Sequence, residues 1–349
     1  MIRNSIIESD AKEIADRLQD LLYNLSGKTI LVTGGAGFLG RYILTFLNYI
    51  NQVKLDKPCR ILCVDNFITG IKSTMEENKN LVIIQHDIRK PLEVSENIDY
   101  ILHAAGIASP AFYSKFPMET IAVTAYGTNN ILELAKEKKV KSMVFFSSSE
   151  IYGDPDPKFI PTPETYNGNV SCTGPRACYD ESKRLGETLC MTYFRQYGVP
   201  VKIVRIFNVY GPGLRVDDER VLPSFVSRAL KGEDMIIRTS GSTRAFCYIT
   251  DIINGIFRLL FSKYNGEPTN IGNPNEEISM LELAIKVKHL LGNKINVKEE
   301  KAEGVYGESN PKRRCPDISK AEKLLNYSPK VDLNNGLTRF VEWAKTEWV

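Results

Sequence analysis

Six short runs, "KTILVT", "RILCVD", "LVIIQ", "IDYILH", "SMVFFS" and "VKIVRI", punctuate the first two-thirds of the chain. Each is rich in β-branched or aromatic residues and nearly continuous in its apolar character. That pattern marks strands buried on both faces. Helical segments lie between them, among them "TNNILELAKEKKV" and "YDESKRLGETLCMTYFRQYG", the second stopping at Gly198. Such an alternation predicts an α/β fold, a doubly wound parallel sheet covered by helices. Past about residue 207 the pattern loosens into loops rich in Gly, Arg and Asp with shorter elements such as "ISMLELAIKVKHLLG". This part reads as a smaller lobe. No internal repeat or low-complexity stretch interrupts the chain.

Ahead of the first strand, Ile7, Ala11, Ile14, Leu18, Leu21 and Leu25 recur at helical spacing. Residues 1–27 are therefore expected to hold an amphipathic helix covering part of its own domain, with Asp10 and Glu13 in the form of a capping box.

The first strand runs straight into "TGGAGFLGRYIL", which sets Gly34, Gly37 and Gly40 between a strand and a helix. In that context glycines allow a tight turn and close approach to a pyrophosphate, and the helix start supplies amide donors. The expectation is a Rossmann-type dinucleotide site. Asp65 ends the second strand, followed by Asn66, and can accept hydrogen bonds from an adenosine ribose; it would repel an added 2′-phosphate, which favours NAD over NADP. Asp87, after the third strand, is a candidate for the adenine amine or a turn residue.

Bulk properties narrow the partners. The 349 residues are 43% hydrophobic and 25% charged, with a formal net charge of +3 and no basic stripe, so nucleic acid is not expected as a partner. No apolar run reaches membrane-span length and the opening residues lack a secretory apolar region, so neither a membrane partner nor export is expected. Seven scattered cysteines suggest reduced thiols in a cytoplasmic protein. The three histidines, His86, His103 and His289, have no metal-ligand spacing, and no metal site is expected.

In "GPRACYDESKRLGETLC", Tyr179 and Lys183 stand four residues apart, on one face of a helix. A free tyrosine, with a pKa of about 10, is a poor base at neutral pH. An ammonium and an oxidised nicotinamide nearby would stabilise its phenolate. Such a phenolate could take a hydroxyl proton as hydride leaves the same carbon, which is alcohol oxidation. Lys183 could also hold the nicotinamide ribose. The fifth strand ends in "FFSSSEIYGD", placing Ser148, Ser149 and Glu150 where ligands of such folds bind. A serine there could bridge Tyr179 and a substrate hydroxyl, and Glu150 is a second candidate acid or base.

Together "TGGAGFLG", "SSSE" and "YDESK" resemble the extended short-chain dehydrogenases that modify nucleotide sugars. The resemblance runs from about residue 28 to the C-terminus through "RIFNVYGPG", "RVLPSFV", "TRAFCYITDI", "NIGNP" and "RRCPDISKAEKLLNYSP". "DNFITG", "SEIYGDP" and "GPRACYDESKR" resemble most closely the UDP-glucuronate decarboxylase subgroup, the UDP-xylose synthase type. Sugar 4,6-dehydratases carry Asp-Glu where this chain has Ser149-Glu150, and simple 4-epimerases lack the glutamate.

The resemblance implies that the nucleotide sugar is oxidised at its 4-hydroxyl. The ketone formed lies β to a glucuronate carboxylate, so carbon dioxide can leave with an enolate accepting the electrons. Protonation and return of hydride then give a UDP-pentose. Tyr179 would be the base, Lys183 its partner, and Ser148 the hydroxyl where decarboxylases carry threonine, with Ser149, Glu150 and Arg314 completing the catalytic set. The implied NAD contacts are Gly34, Gly37, Phe38, Leu39, Gly40, Asp65, Asn66, Thr69, Asp87, Ile88, Ala104 and Lys183. The implied nucleotide-sugar contacts are Tyr113, Asn208, Arg220, Arg244, Tyr248 and Arg314. A homodimer is also expected.

Domain boundaries follow: 28–207 for the dinucleotide-binding domain, with 243–270 returning to it, and 208–242 with 271–349 for the substrate lobe. The chain departs from the pattern at Gly106-Ile107, where Ser-Pro is usual, at Thr124, where asparagine is usual, and in "IRTSGSTRAF", which runs one residue short. Another nucleotide-sugar 4-dehydrogenase or epimerase stays open as an alternative, and a non-catalytic sensor of NAD or nucleotide sugar is a third reading.

Overall fold

A computed structural model describes residues 4–72, 76–239, 241–292, 295–300 and 311–348. Ser240, within "IRTSGSTRAF", lies outside them. The six apolar runs form strands β1 (Thr29–Thr33), β2 (Arg60–Asp65), β3 (Leu81–Gln85), β4 (Tyr100–His103), β5 (Ser142–Ser148) and β6 (Val201–Ile206), and a seventh, β7, spans Pro268–Ile271. They make one sheet in the order β7-β6-β5-β4-β1-β2-β3, with every pairing parallel. The direction of winding reverses between β1 and β4, and the glycine turn sits at that point. Ligands of open parallel sheets bind outside such switch points.

Why the strands read as continuously apolar is visible in β1. Ile30 and Val32 point into one core, and Leu31 points into the other. The first core contains side chains of helices α1 (Ser5–Arg17), α2 (Phe38–Val53) and α5 (Ile249–Phe261); the second contains those of α3 (Thr128–Glu137) and α4 (Ala177–Tyr197). A strand covered on both faces has no position left for a polar alternation. Helix α4 ends as its sequence requires, with Gly198 left-handed at φ 69°.

Helix α1 is integral to the first core through Ile7, Ile14 and Ala15, and Leu18 just beyond it joins them. Its cap differs from expectation. Asn4 is the N-cap, its side chain accepting from Ile6 N, and Asp10 lies inside the helix, fully buried. There Asp10 accepts from Tyr42 Oη at 2.5 Å, from Tyr248 Oη at 2.7 Å and from Arg339 Nη1 at 2.9 Å. A buried carboxylate demands such partners, and sequence spacing alone does not show them.

After β6 the chain builds small sheets. Thr243–Ala245 pairs antiparallel with Glu277–Ser279 and parallel with Arg313–Arg314, setting Arg314 beside Arg244 in register. The helix predicted in "ISMLELAIKVKHLLG" is Met280–Leu291, with a true capping box between Ser279 and Glu282. Helix α6 (Leu333–Glu347) closes the chain. Among the described residues, no helix is long and apolar enough to cross a membrane, and no cluster of His, Cys, Asp and Glu could hold a metal ion. All seven cysteines are free.

Candidate active site

The helix α2 begins against the glycine turn. Gly34 adopts φ +72°, and a Cβ there would lie 2.7 Å from the backbone of Ala105. A Cβ on Gly40 would collide with the carbonyl of Gly34. The turn can therefore close only with glycine at these points, and it leaves its surface open to a ligand. Asp65 sits beside it, its Oδ2 accepting from Ala36 N at 2.9 Å and its Oδ1 from Phe67 N at 2.7 Å. Burial raises the Asp65 carboxyl and these amides counter it, leaving lone pairs for hydroxyl donors. Asp65, Asn66, Thr69, Ile88 and Ala104 line one small recess with Gly34 and Gly37. Asp87 does not line that recess. Its carboxylate is turned onto Arg89, with contacts of 2.8 Å to Nε and 2.6 Å to Nη2.

A larger cleft of about 330 Å³ runs on from Gly34, Phe38, Leu39 and Gly40 past Ser148, Tyr179 and Lys183. The same cleft is also lined by Tyr113, Asn208, Arg220, Arg244 and Arg314. One continuous space thus joins the glycine turn to a cluster of arginines. Tyr248 is a correction: it is fully buried in the first core and spends its hydroxyl on Asp10. Asn208, at φ +36°, donates to Ala245 O at 2.9 Å, and Arg220 is paired with Asp218.

Tyr179 and Lys183 lie one turn apart on the α4 face that packs on β5. A Cβ on Gly186 would overlap the Phe145 ring, so glycine there lets helix and strand approach closely. Lys183 Nζ consequently reaches Phe146 O at 2.8 Å, and lies 5.8 Å from the centre of the Tyr179 ring. Burial lowers the Lys183 ammonium to about 8. Burial likewise pushes the Tyr179 phenol up to about 12, against the hydrogen bond with Ser148. Tyr113 stacks on Tyr179, and Ile107 joins the pair in one apolar cluster. Gly106 faces Lys183, where a Cβ would stand 3.2 Å from Nζ.

Glu150 follows the strand-end serines, in a turn where Ser148 Oγ accepts from Glu150 N at 3.2 Å. Its Oε2 accepts from Arg314 Nη2 at 2.7 Å and, in a very short contact, from Arg176 Nη2. Burial would raise this carboxyl, but Arg176, Arg314 and Arg244 together hold it below the ordinary glutamate range. Asp180 lies 3.7 Å from Arg176 Nε, and burial raises its carboxyl to about 7. Sequence reading assigned no role to Arg176 or Asp180. Both lie inside the quoted "GPRACYDESK", and the signal was a charged pair at helical spacing next to Tyr179.

A sheet that switches its winding at a glycine turn, with tyrosine and lysine one helical turn apart beside a strand-end serine, defines a short-chain dehydrogenase/reductase. The model of the NAD dependent epimerase/dehydratase family matches residues 30–272, and the chain belongs to that family. It is 40% identical over 316 residues to UDP-glucuronic acid decarboxylase 5 of Arabidopsis thaliana, covering 89% of this chain and 88% of that one. Identity to UDP-glucuronic acid decarboxylase 1 of Xenopus tropicalis is 39%, covering 92% and 73% of the two chains. Among solved structures, an epimerase from Methanothermobacter thermautotrophicus superposes with a TM-score of 0.81 at 26% identity, over 96% of each chain. The dTDP-glucose 4,6-dehydratase of Streptomyces venezuelae, solved with NAD bound, superposes with a TM-score of 0.78 at 25% identity, over 91% and 97%.

Proposed function

We propose that the chain is an NAD-dependent UDP-glucuronate decarboxylase, oxidising the sugar at its 4-hydroxyl and releasing its carboxylate as carbon dioxide to leave a UDP-pentose. The observation that carries this reading is Glu150, clamped by Arg176 and Arg314 in the same cleft as Tyr179. The 40% identity to plant decarboxylases supports it.

The residues present fit NAD. Gly34, Gly37, Phe38, Leu39 and Gly40 would hold the pyrophosphate, whose approach a Cβ at Gly34 or Gly40 would spoil by distorting the turn. Asp65 would take the adenosine ribose, with Asn66, Thr69, Ile88 and Ala104 around it. Lys183 would hold the nicotinamide ribose. When bound, NAD supplies a hydride acceptor and a positive charge beside Tyr179.

Tyr179, bonded to Ser148, takes the proton of the 4-hydroxyl. Removing that proton together with the C4 hydride leaves a C4 ketone, β to the C6 carboxylate. The electrons of the C5–C6 bond then move into the enolate as carbon dioxide leaves. A proton added at C5, a hydride restored at C4 and the return of the Tyr179 proton to O4 complete the pentose, so atoms and electrons balance over the cycle, with one proton taken up from solvent for each carbon dioxide released. Arg314 faces the sugar carboxylate, and Ser149 and Tyr113 shape the wall around it. Asn208, Arg220 and Arg244 hold the nucleotide diphosphate.

The protein acts as a homodimer on this reading. Met118, Ile121, Tyr126 and Leu185 expose apolar side chains on helical segments that pack together. Its free thiols, exposed Cys172 among them, suit a reducing cytoplasm.

Glu150→Gln and Arg314→Ala test the reading. Both should keep UDP affinity within a few-fold while carbon dioxide release from UDP-glucuronate falls by about a hundredfold or more. If Arg314→Ala weakens affinity alone, with turnover intact at saturation, Arg314 is a phosphate contact and decarboxylation loses its cation.

A further inference from the structure

Arg176 caps the start of α4, three residues before Tyr179, and is buried. It shares a single oxygen of Glu150, Oε2, with Arg314. The two guanidinium groups come from different parts of the fold. Arg176 stands on a 21-residue helix packed against β5, whereas Arg314 stands on a two-residue strand at the edge of the three-stranded sheet. Arg244 adds a third positive charge, but it donates to the carbonyls of Thr243 and Pro311. Among the described residues, the buried Nε atoms of both Arg176 and Arg314 have no hydrogen-bond partner, and neither has Oδ1 of Asp180.

Two arginines on one carboxylate oxygen are redundant unless one is needed elsewhere. The decarboxylase reading, on which this inference rests, brings a second carboxylate into the same cleft. The geometry points to a division of labour: Arg176 is the positioning residue that keeps Glu150 ionised and aimed while Arg314 turns its guanidinium to the sugar carboxylate. Removing one partner of a buried ion pair is costly because it strands the other charge. With Arg176 in place, a move of Arg314 strands nothing. The groups around Glu150 agree with this assignment. Arg176 and Asp180 face it from α4, Arg314 and Arg244 from the three-stranded sheet, and the Tyr179 phenol from α4. The positive groups prevail over burial: Arg176, Arg314 and Arg244 all favour the ionised carboxylate.

The test uses the full-length, NAD-loaded protein carrying Arg176→Met or Arg176→Lys. With UDP-glucuronate, Arg176→Met should lose about tenfold or more in kcat, and the acidic limb of its pH–rate profile should move up by about one unit or more, with UDP affinity nearly unchanged. Arg176→Lys should hold the limb near its original pH while turning over more slowly, because an ammonium lacks the planar fork. A second reading needs no sugar. Infrared difference spectra against Glu150→Gln follow the Glu150 carboxylate, which should protonate at higher pH in Arg176→Met. Unchanged kcat and an unchanged Glu150 titration overturn the assignment. So does a loss of UDP affinity with an unshifted limb, which makes Arg176 a substrate contact. If Arg176→Met does not fold, Arg176→Lys decides: slowed turnover with a normal titration supports the assignment, and wild-type turnover overturns it. A wild-type protein that releases no carbon dioxide defeats the decarboxylase reading, while the sugar-free titration still decides the role of Arg176 toward Glu150.

Discussion

Tyr113 lies against Tyr179 with ring centres 5.2 Å apart and planes 12° from parallel. The stack holds the Tyr179 ring by its face and leaves its hydroxyl to Ser148. Tyr179→Phe keeps the stacking face and removes only the phenol oxygen. Turnover should fall by about a hundred- to ten-thousandfold, with NAD affinity nearly unchanged. Steady-state turnover and a cofactor titration measure both. Turnover close to wild type would remove Tyr179 from the chemistry.

On the NAD reading, Asp65 would give the cofactor site its selectivity. Its half-buried carboxylate lines the recess beside the glycine turn, where it would repel a 2′-phosphate. The cofactor-free protein should bind NAD at least about tenfold more tightly than NADP, equivalent to about 1.4 kcal/mol. Asp65→Ala should narrow that gap, mainly by weakening NAD. Equal affinities in the wild type would mean that Asp65 does not meet the ribose.

Gly186 sets the distance between α4 and β5. Gly186→Ala drives a methyl group into the Phe145 ring and should cost about 1–3 kcal/mol of stability. It should also disturb the Lys183 contact with Phe146 O, so that NAD affinity falls alongside stability. Denaturant unfolding and a cofactor titration report the two effects; stability equal to wild type would show that the interface yields without strain.

Asp10 ties stability to pH. Burial raises its carboxyl from 3.8 to about 6, so the folded protein holds this proton more tightly than the unfolded chain. Its contribution is fully present below about pH 4 and is lost as the pH rises through about 6. Asp180, raised to about 7, adds a similar slope that extends higher. Denaturant stability measured between pH 5 and pH 7 should therefore decline less in Asp10→Asn than in the wild type. An identical slope in both proteins would show that Asp10 does not titrate there.

Much of the fold was legible because strands covered on both faces must be continuously apolar, and each of the six runs became a strand of one sheet. The glycine turn and the Tyr179–Lys183 pair were legible because their geometry is local. The glutamate clamp was only half legible. Arg176 meets Glu150 across 26 residues, and the contact exists only once α4 has docked on β5. Tyr248 was misplaced for the same reason, since its partner Asp10 lies 238 residues away. Asp10 itself resembled a helix cap by spacing, but the helix already begins after Asn4. Asp87, offered by the sequence as either an adenine contact or a turn residue, is paired with Arg89, only two residues on, a competition that composition does not rank.

A decarboxylase of this kind must remove the carboxylate of a 4-oxidised glucuronate within this cleft. The most direct measurement incubates the NAD-loaded protein with UDP-glucuronate carrying ¹³C at the C6 carboxylate and follows the label by NMR. The label should leave the nucleotide sugar as carbon dioxide and bicarbonate, matched mole for mole by an unlabelled UDP-pentose. Label retained in a UDP-hexuronate, whether epimerised at C4 or unchanged, would contradict it.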